Sequence, residues 1–301
     1  MKKSFFESCC IVNYSSGIYL KGQKRLKQSL IDNGYTGDFL FFDDSDASFP
    51  LQSEIPYGFK LKAVSIAIEK GYKYILWLDS NLVCIRQPKK IFSIIRNQEI
   101  YVYSPYADKM GYWCSDLALQ SFSIERNQAF EIDELCAAIF GINADSKKAV
   151  DFFAEWNNFA KDGKTFKGLS EEYDIKDSFK NLNNIVSKDN RVKGHRHDQT
   201  ALSFLAWKYK LDIHYLEVKD VCAVNAETLK HKYSKAISFD VEIAQNRDIK
   251  TQKYFEHYNR WGNTKGINKF CFICLSFVDT IKRRLFFKKV IYERNYCARR
   301  E

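Results

Sequence analysis

A chain of 301 residues with 46% hydrophobic and 28% charged residues can bury a full α/β core, and with 16% aromatic residues and only four prolines it is neither a disordered chain nor an extended linker. Its formal charge of +10 predicts an anionic partner, such as a phosphorylated compound, a nucleic acid or a membrane surface, without choosing among them. Nine cysteines, an odd number scattered through apolar runs, speak against a disulfide framework and for a reducing cytosol, and no apolar run reaches the ~20 residues that span a bilayer.

Ser8 to Asn13 is a short apolar run that ends in Tyr14-Ser-Ser-Gly17, so it reads as a buried strand feeding a loop. The apolar stretch Cys9 to Val12 is too short for a signal peptide. Leu20, Leu26, Leu30 and Ile31 follow with helical spacing and stop at Asn33-Gly34, and Asp38 to Asp43 is a second strand leading into the acidic loop Asp43-Asp44-Ser45-Asp46. Phe59 to Ile68 forms a helix stopped at Gly71, and Tyr74 to Leu78 is a continuous apolar strand of the kind buried on both faces. Ile91 to Ile95 is helical, and Ile100 to Tyr103 and Leu135 to Phe140 are strands, the latter leading to Gly141. Asp145 is expected to cap a helix through Trp156, Asn157 to Asn190 is polar and irregular, Asp198 is expected to cap a helix through Tyr209, and Ile213 to Leu216 is a late strand. Strands alternating with helices predict an α/β fold with a mostly parallel sheet and its functional groups at the carboxyl ends of the strands. No internal repeat or low-complexity run interrupts this order.

Two segments concentrate chemistry. Trp77-Leu-Asp-Ser-Asn-Leu-Val83 puts Asp79, Ser80 and Asn81 just beyond a buried strand, where an aspartate either caps the following loop or offers oxygen to Mg2+ or Mn2+. Lys193-Gly-His-Arg-His-Asp-Gln-Thr-Ala-Leu202 gathers polar groups at a helix start, which attracts anions. There His195, Arg196 and His197 can face phosphates and Asp198 and Gln199 a sugar, or Asp198 is an N-cap and the rest a solvated loop.

Together these segments resemble the GT-A type glycosyltransferases, in particular retaining family 8 and similar bacterial lipopolysaccharide and capsular polysaccharide enzymes, over roughly the first 215 residues. Tyr57-Gly-Phe-Lys-Leu-Lys62 and the strand ending in Asp79-Ser-Asn81 look like that family's nucleotide-contacting helix and DxD motif. Leu135 to Asn143 looks like its strand of small residues beside the acceptor, and His197-Asp-Gln-Thr-Ala-Leu202 like its Asp-Gln segment. The resemblance implies a GT-A, Rossmann-like central sheet flanked by helices. It also implies a metal-assisted, retaining transfer of a hexose from a nucleotide sugar, UDP-sugar favoured, to a glycan or lipid-linked acceptor. Asp79 would then hold metal and diphosphate, Lys60 and His197 would help hold the nucleotide, and Asp198 and Gln199 would line the sugar, with Gln199 closest to the anomeric carbon. Asn81 stands where the motif's second carboxylate is expected and is a weaker ligand. His257-Tyr-Asn-Arg-Trp-Gly-Asn-Thr-Lys265 keeps the order but not the spacing of the family's late histidine motif, so His257 is either a metal ligand, with Lys265 beside the nucleotide, or a surface histidine. Asp43 or Asp44 either accepts a ribose hydroxyl or belongs to a solvated loop.

These elements place the transferase domain at residues 1–265 and a basic, apolar tail at 266–301. In the tail Lys282, Arg283, Arg284, Lys288 and Lys289 alternate with Leu285, Phe286, Phe287, Val290 and Ile291, a pattern that suits an amphipathic helix on an anionic membrane surface or one packed on the domain. Its Cys271 and Cys274 have no second ligand pair nearby and read as apolar packing. The expected location is cytoplasmic, peripheral at the inner face of the membrane. A nucleic-acid-binding protein and a catalytically inactive glycan-binding relative are the competing readings, the first lacking any recognisable nucleic-acid motif.

Overall fold

The apolar runs at residues 9–12 and 75–78 are strands covered on both faces in the computed structural model. It describes residues 5–84, 86–104, 108–215, 223–224 and 243–245. In chain order these form β1 (Cys9–Ser15), α1 (Tyr19–Asp32), β2 (Asp38–Asp43), α2 (Gly58–Glu69), β3 (Tyr74–Leu78), β4 (Leu82–Cys84), α3 (Lys89–Gln98), β5 (Ile100–Ser104), α4 (Asp116–Phe122), α5 (Arg126–Ala129), β6 (Ile139–Asn143), α6 (Lys147–Lys161), α7 (His197–Lys208), β7 (Ile213–Tyr215), β8 (Ala223–Val224) and β9 (Ile243–Gln245).

The central sheet has the order β2-β1-β3-β6-β5-β7. All neighbours run parallel except at β6, which is antiparallel to both β3 and β5. Alternate residues of each strand serve opposite cores. Cys10, Val12, Ile75 and Trp77 point to the side covered by α2, α6 and α7, with Leu61, Phe152, Trp156 and Leu202. Cys9, Ile11, Leu76 and Leu78 point to the side covered by α1 and α3, with Leu26, Leu30, Ile91 and Phe92. Each such side chain stabilises the fold by about 1.5–3 kcal/mol relative to exposure, so the strand direction is held by both layers at once. A smaller sheet, β4-β9-β8, flanks this unit.

The helix stops are local chemistry. α1 and α2 both end in a glycine at positive φ (Gly34, +79°; Gly71, +83°), and the next residue's N–H, on Tyr35 or Tyr72, bonds back to Leu30 or Ala67.

Three expectations shift. The strand expected over Leu135 to Phe140 begins at Ile139, because Leu135–Ala138, although buried, stays out of the ladder, with the carbonyls of Ala137 and Ala138 accepting from Lys60 Nζ and the Asp79 N–H. Ser146, not Asp145, caps α6 through the Ala149 N–H at 3.2 Å, and Asp145 pairs with Lys73 instead. α7 has no side-chain cap, since burial takes Asp198 inward.

Candidate active site at the carboxyl end of the sheet

Register brings the site together. Ser15 lies opposite Asp43, and Val12 opposite Trp77, so β1, β2 and β3 end on one rim. Beneath the rim, Asn13 donates its Nδ2 hydrogen to Leu78 O (2.6 Å) and its Oδ1 accepts from Ser15 Oγ and Gln23 Nε2, both at 2.9 Å. Ser15 Oγ in turn lies 2.6 Å from Ser80 Oγ. This buried network fixes the turn after β3 from below. From the side, α1 presses on the same turn: a Cβ on Gly22 would stand 2.4 Å from Ser80 O.

On that rim Lys60, buried on α2, reaches three acceptors: Asp198 Oδ2 at 2.9 Å, Ala137 O at 2.9 Å and Asp79 Oδ1 at 3.3 Å. An ammonium has three N–H donors, so Lys60 is saturated within the fold and meets any ligand through its two carboxylates. Tyr57 and Trp77 turn ring faces to Nζ at 5.3 and 5.9 Å. Burial pulls the Lys60 pKa down, but Asp198 and Asp79 outweigh it and keep the ammonium charged. Asp198 shows the converse. Burial raises its carboxyl to about 6 despite the opposing pull of Lys60.

One ammonium between two carboxylates leaves the cluster with a net charge of −1 when both acids are ionised. Asp79 carries the accessible part. Its side chain is 28% exposed, its backbone N–H donates to Ala138 O (2.9 Å), and its Oδ1 accepts the Trp77 indole N–H at 2.7 Å. Among the described residues nothing partners Asp79 Oδ2. Asn81, two residues on, has its Oδ1 buried and unpartnered.

The helices that deliver Lys60 and Asp198 start side by side. Tyr57, before α2, and His197, first in α7, both adopt left-handed backbone (φ 59° and 48°), and their rings pack with centroids 5.3 Å apart. Left-handed non-glycine residues cost about 1 kcal/mol or more, so the packing around them must hold these two helix starts in place. Their positive dipole ends partly offset the cluster's negative charge.

Of the remaining candidates, Gln199 is partly exposed and donates its Nε2 hydrogen to Glu134 Oε1 at 2.7 Å. His197 directs Nδ1 to Phe166 O (2.7 Å) and Nε2 to Ser178 Oγ (3.3 Å), and burial lowers its pKa to about 4, so the ring is a neutral staple with both nitrogens occupied. Asp43 ends β2 in solvent, and the Ser45 hydroxyl and N–H on its Oδ1 hold it below the ordinary carboxylate range. The structure thus brings Lys60, Asp79 and Asp198 into direct contact, sets Gln199 and Asn81 beside them in sequence, and leaves Asp43 on the same rim without a link to the cluster. His257, Lys265 and the tail 266–301 lie outside the described residues.

Sequence reasoning missed Trp77, Tyr57 and Glu134 as site residues. Trp77 sits mid-strand, where an aromatic reads only as core, yet its one polar atom holds Asp79. Glu134 had a signal: it is the carboxylate set directly before the apolar run Leu135 to Phe140.

No protein-family model matches the sequence, and no curated protein matches it. Among solved structures, the chain is similar to a glycosyltransferase involved in the glycosylation of the major capsid of PBCV-1, at 11% identity and a TM-score of 0.42, over 85% of this chain and 100% of that one. It is similar also to mouse xyloside xylosyltransferase 1 in its apo form, at 10% identity and a TM-score of 0.42, over 80% of this chain and 97% of that one.

Proposed function

We propose that this chain is a glycosyltransferase that moves a sugar from a nucleotide-sugar donor, UDP-sugar favoured, to a glycan or glycolipid acceptor. The observation that carries this reading is the Lys60–Asp79–Asp198 cluster on the strand ends, with one carboxylate oxygen of the partly exposed Asp79 left without a partner among the described residues. Such a transfer must neutralise a leaving diphosphate and stabilise a cationic, oxocarbenium-like sugar.

A divalent cation suits the donor set: Asp79 Oδ2 and the buried, unpartnered Asn81 Oδ1 are hard oxygen ligands, and the cluster's net negative charge favours a cation. Among the described residues no group of three His, Cys, Asp or Glu side chains forms a fuller shell, so Asp79 and Asn81 would share Mn2+ or Mg2+ with the donor's own oxygens. When bound, the ion supplies positive charge to the departing diphosphate.

The protein's own groups do the rest. Trp77 aims Asp79 by occupying Oδ1, which leaves Oδ2 for the ligand. Lys60 pairs with Asp79 and Asp198 and opposes the rise that burial gives the Asp198 carboxyl, and Asp198 holds negative charge against the reacting sugar. Gln199 offers a dipole in place of a base. Retention fits this set, because an inverting displacement needs a carboxylate base open to the acceptor, whereas Asp198 and Glu134 are both buried and engaged.

The test is turnover of a panel of UDP- and GDP-sugars by the purified chain, with and without Mn2+. Metal-dependent release of the nucleoside diphosphate from at least one donor is expected, and no hydrolysis, transfer or binding with any donor removes the reading. The lipid-linked acceptor and a peripheral membrane position form a finer part of the proposal, resting on the basic apolar tail. They require the full chain to float with anionic vesicles and not with zwitterionic ones.

A further inference from the structure

We propose that Glu134 is a positioning residue that sets which end of the Gln199 amide faces the donor cleft. The inference rests on the glycosyl-transfer reading for its consequence, but not for its geometry.

Glu134 is fully buried and its backbone is pinned on both sides: its N–H donates to Asp108 O (3.1 Å) and its carbonyl accepts from Ser104 Oγ (2.7 Å). Its Oε1 accepts from Gln199 Nε2 at 2.7 Å. Its Oε2 lies 3.5 Å from Ser203 Oγ, a hydroxyl already donating to Gln199 O at 2.8 Å. Gln199 is the partly exposed member of the pair, and no described residue partners its Oε1. An ionised carboxylate can only accept hydrogen bonds, so it compels the amide to turn its NH2 inward and its oxygen outward. A protonated carboxyl can donate. It would draw Gln199 Oε1 inward and turn the NH2 to the cleft, reversing the dipole offered to a cationic sugar.

The groups facing Glu134 leave this exchange balanced. Burial favours the protonated form. The Gln199 hydrogen bond and the Arg196 charge, from the start of α7, oppose it, while Asp108, from the loop after β5, adds to it, and the carboxyl comes to rest at about 7. The remaining neighbour, Cys114, is a buried thiol held neutral. The oxygen-out form therefore gains as pH rises through neutrality, and transfer rises with it.

The geometry can be read without activity. In the 15N-labelled full chain, the side-chain amide of Gln199, identified by its loss in Gln199→Glu, should shift with a single titration near pH 7 and cease to titrate in Glu134→Gln. A Gln199 amide indifferent both to pH and to Glu134→Gln overturns the proposal. With an accepted donor, Glu134→Ala should lower kcat roughly tenfold at pH 8 with the donor KM unchanged. Glu134→Gln, which like the protonated acid can donate at every pH, should hold kcat at its acid-side value and flatten the acid limb. A purely structural role would lower stability and leave that limb in place. If no donor turns over, the glycosyl-transfer reading fails, and the amide titration alone decides the role of Glu134.

Discussion

Two buried polar clusters grow from the five residues His195 to Gln199. In one, Asp198 joins Lys60 and Asp79 as a charged group with a carboxylate oxygen left open. In the other, His195 accepts the Ser115 N–H on Nδ1 (3.3 Å) and donates from Nε2 to Thr165 O (2.8 Å), while His197 binds Phe166 O and Ser178. Both histidines are held neutral by burial, and both tie α7 to the loop through residues 165–178. The lesson is that burial alone does not mark a site. What separates the clusters is net charge and an unmet acceptor on one side, against neutrality and full occupancy on the other.

The sharpest way to break this contrast is Lys60→Met. Removing the only cation strands two carboxylates, one of them buried, and should cost about 3–5 kcal/mol of stability in chemical denaturation. A loss under about 1 kcal/mol would mean the carboxylates find water instead.

Next in size is Asp79→Asn, which keeps an acceptor for the Trp77 indole but removes the charge. Transfer should fall by about 10²–10³ with stability nearly unchanged. A wild-type rate in this variant would move the functional cluster elsewhere.

The clusters also answer acid with opposite signs. His197 titrates at about 4 in the fold against 6.5 in the unfolded chain, so its neutral-state stability is present above 6.5 and lost as pH falls, by about 2 kcal/mol at pH 5. Asp198, raised to about 6 from 3.8, contributes the reverse: the fold binds its proton first and gains about 1 kcal/mol between pH 7 and 5. Denaturation midpoints at those two pH values should therefore show His197→Asn less acid-sensitive than wild type and Asp198→Asn more so. Parallel behaviour of the two variants would erase the distinction.

The smallest expected effect is Trp77→Phe. It deletes one N–H donor behind Asp79, should cost about 1 kcal/mol, and should weaken Mn2+ dependence several-fold through a less firmly aimed carboxylate.

Much of this was legible in sequence, for a physical reason. Short apolar runs bounded by polar and turn residues favour strands, so β2 and β3 fall where Asp38–Asp43 and Tyr74–Leu78 read as strands, and Asn33-Gly34 and Gly71 stop their helices as expected. Direction was not legible: nothing in the pattern of Ile139–Asn143 says that β6 runs against its neighbours. At the site, Asp79 and Asp198 are visible as carboxylates at element ends. Their joining through Lys60 is a contact across more than a hundred residues, and no local periodicity encodes it. The indole of Trp77 was hidden by apolar neighbours that make any residue among them read as core, and the carboxyl of Glu134 by Glu131 and Asp133, beside which it reads as one more acid of a polar loop.

Gly22 has a practical consequence for anyone engineering this protein. It sits inside α1, where alanine would raise helix propensity by about 1 kcal/mol and would head any list of stabilising replacements. The missing methyl is room reserved for the Ser80 carbonyl, on the turn that bears Asp79. A substitution chosen to strengthen the helix would be transmitted as a shove on the carboxylate, so a sturdier scaffold here would come with a misaimed ligand.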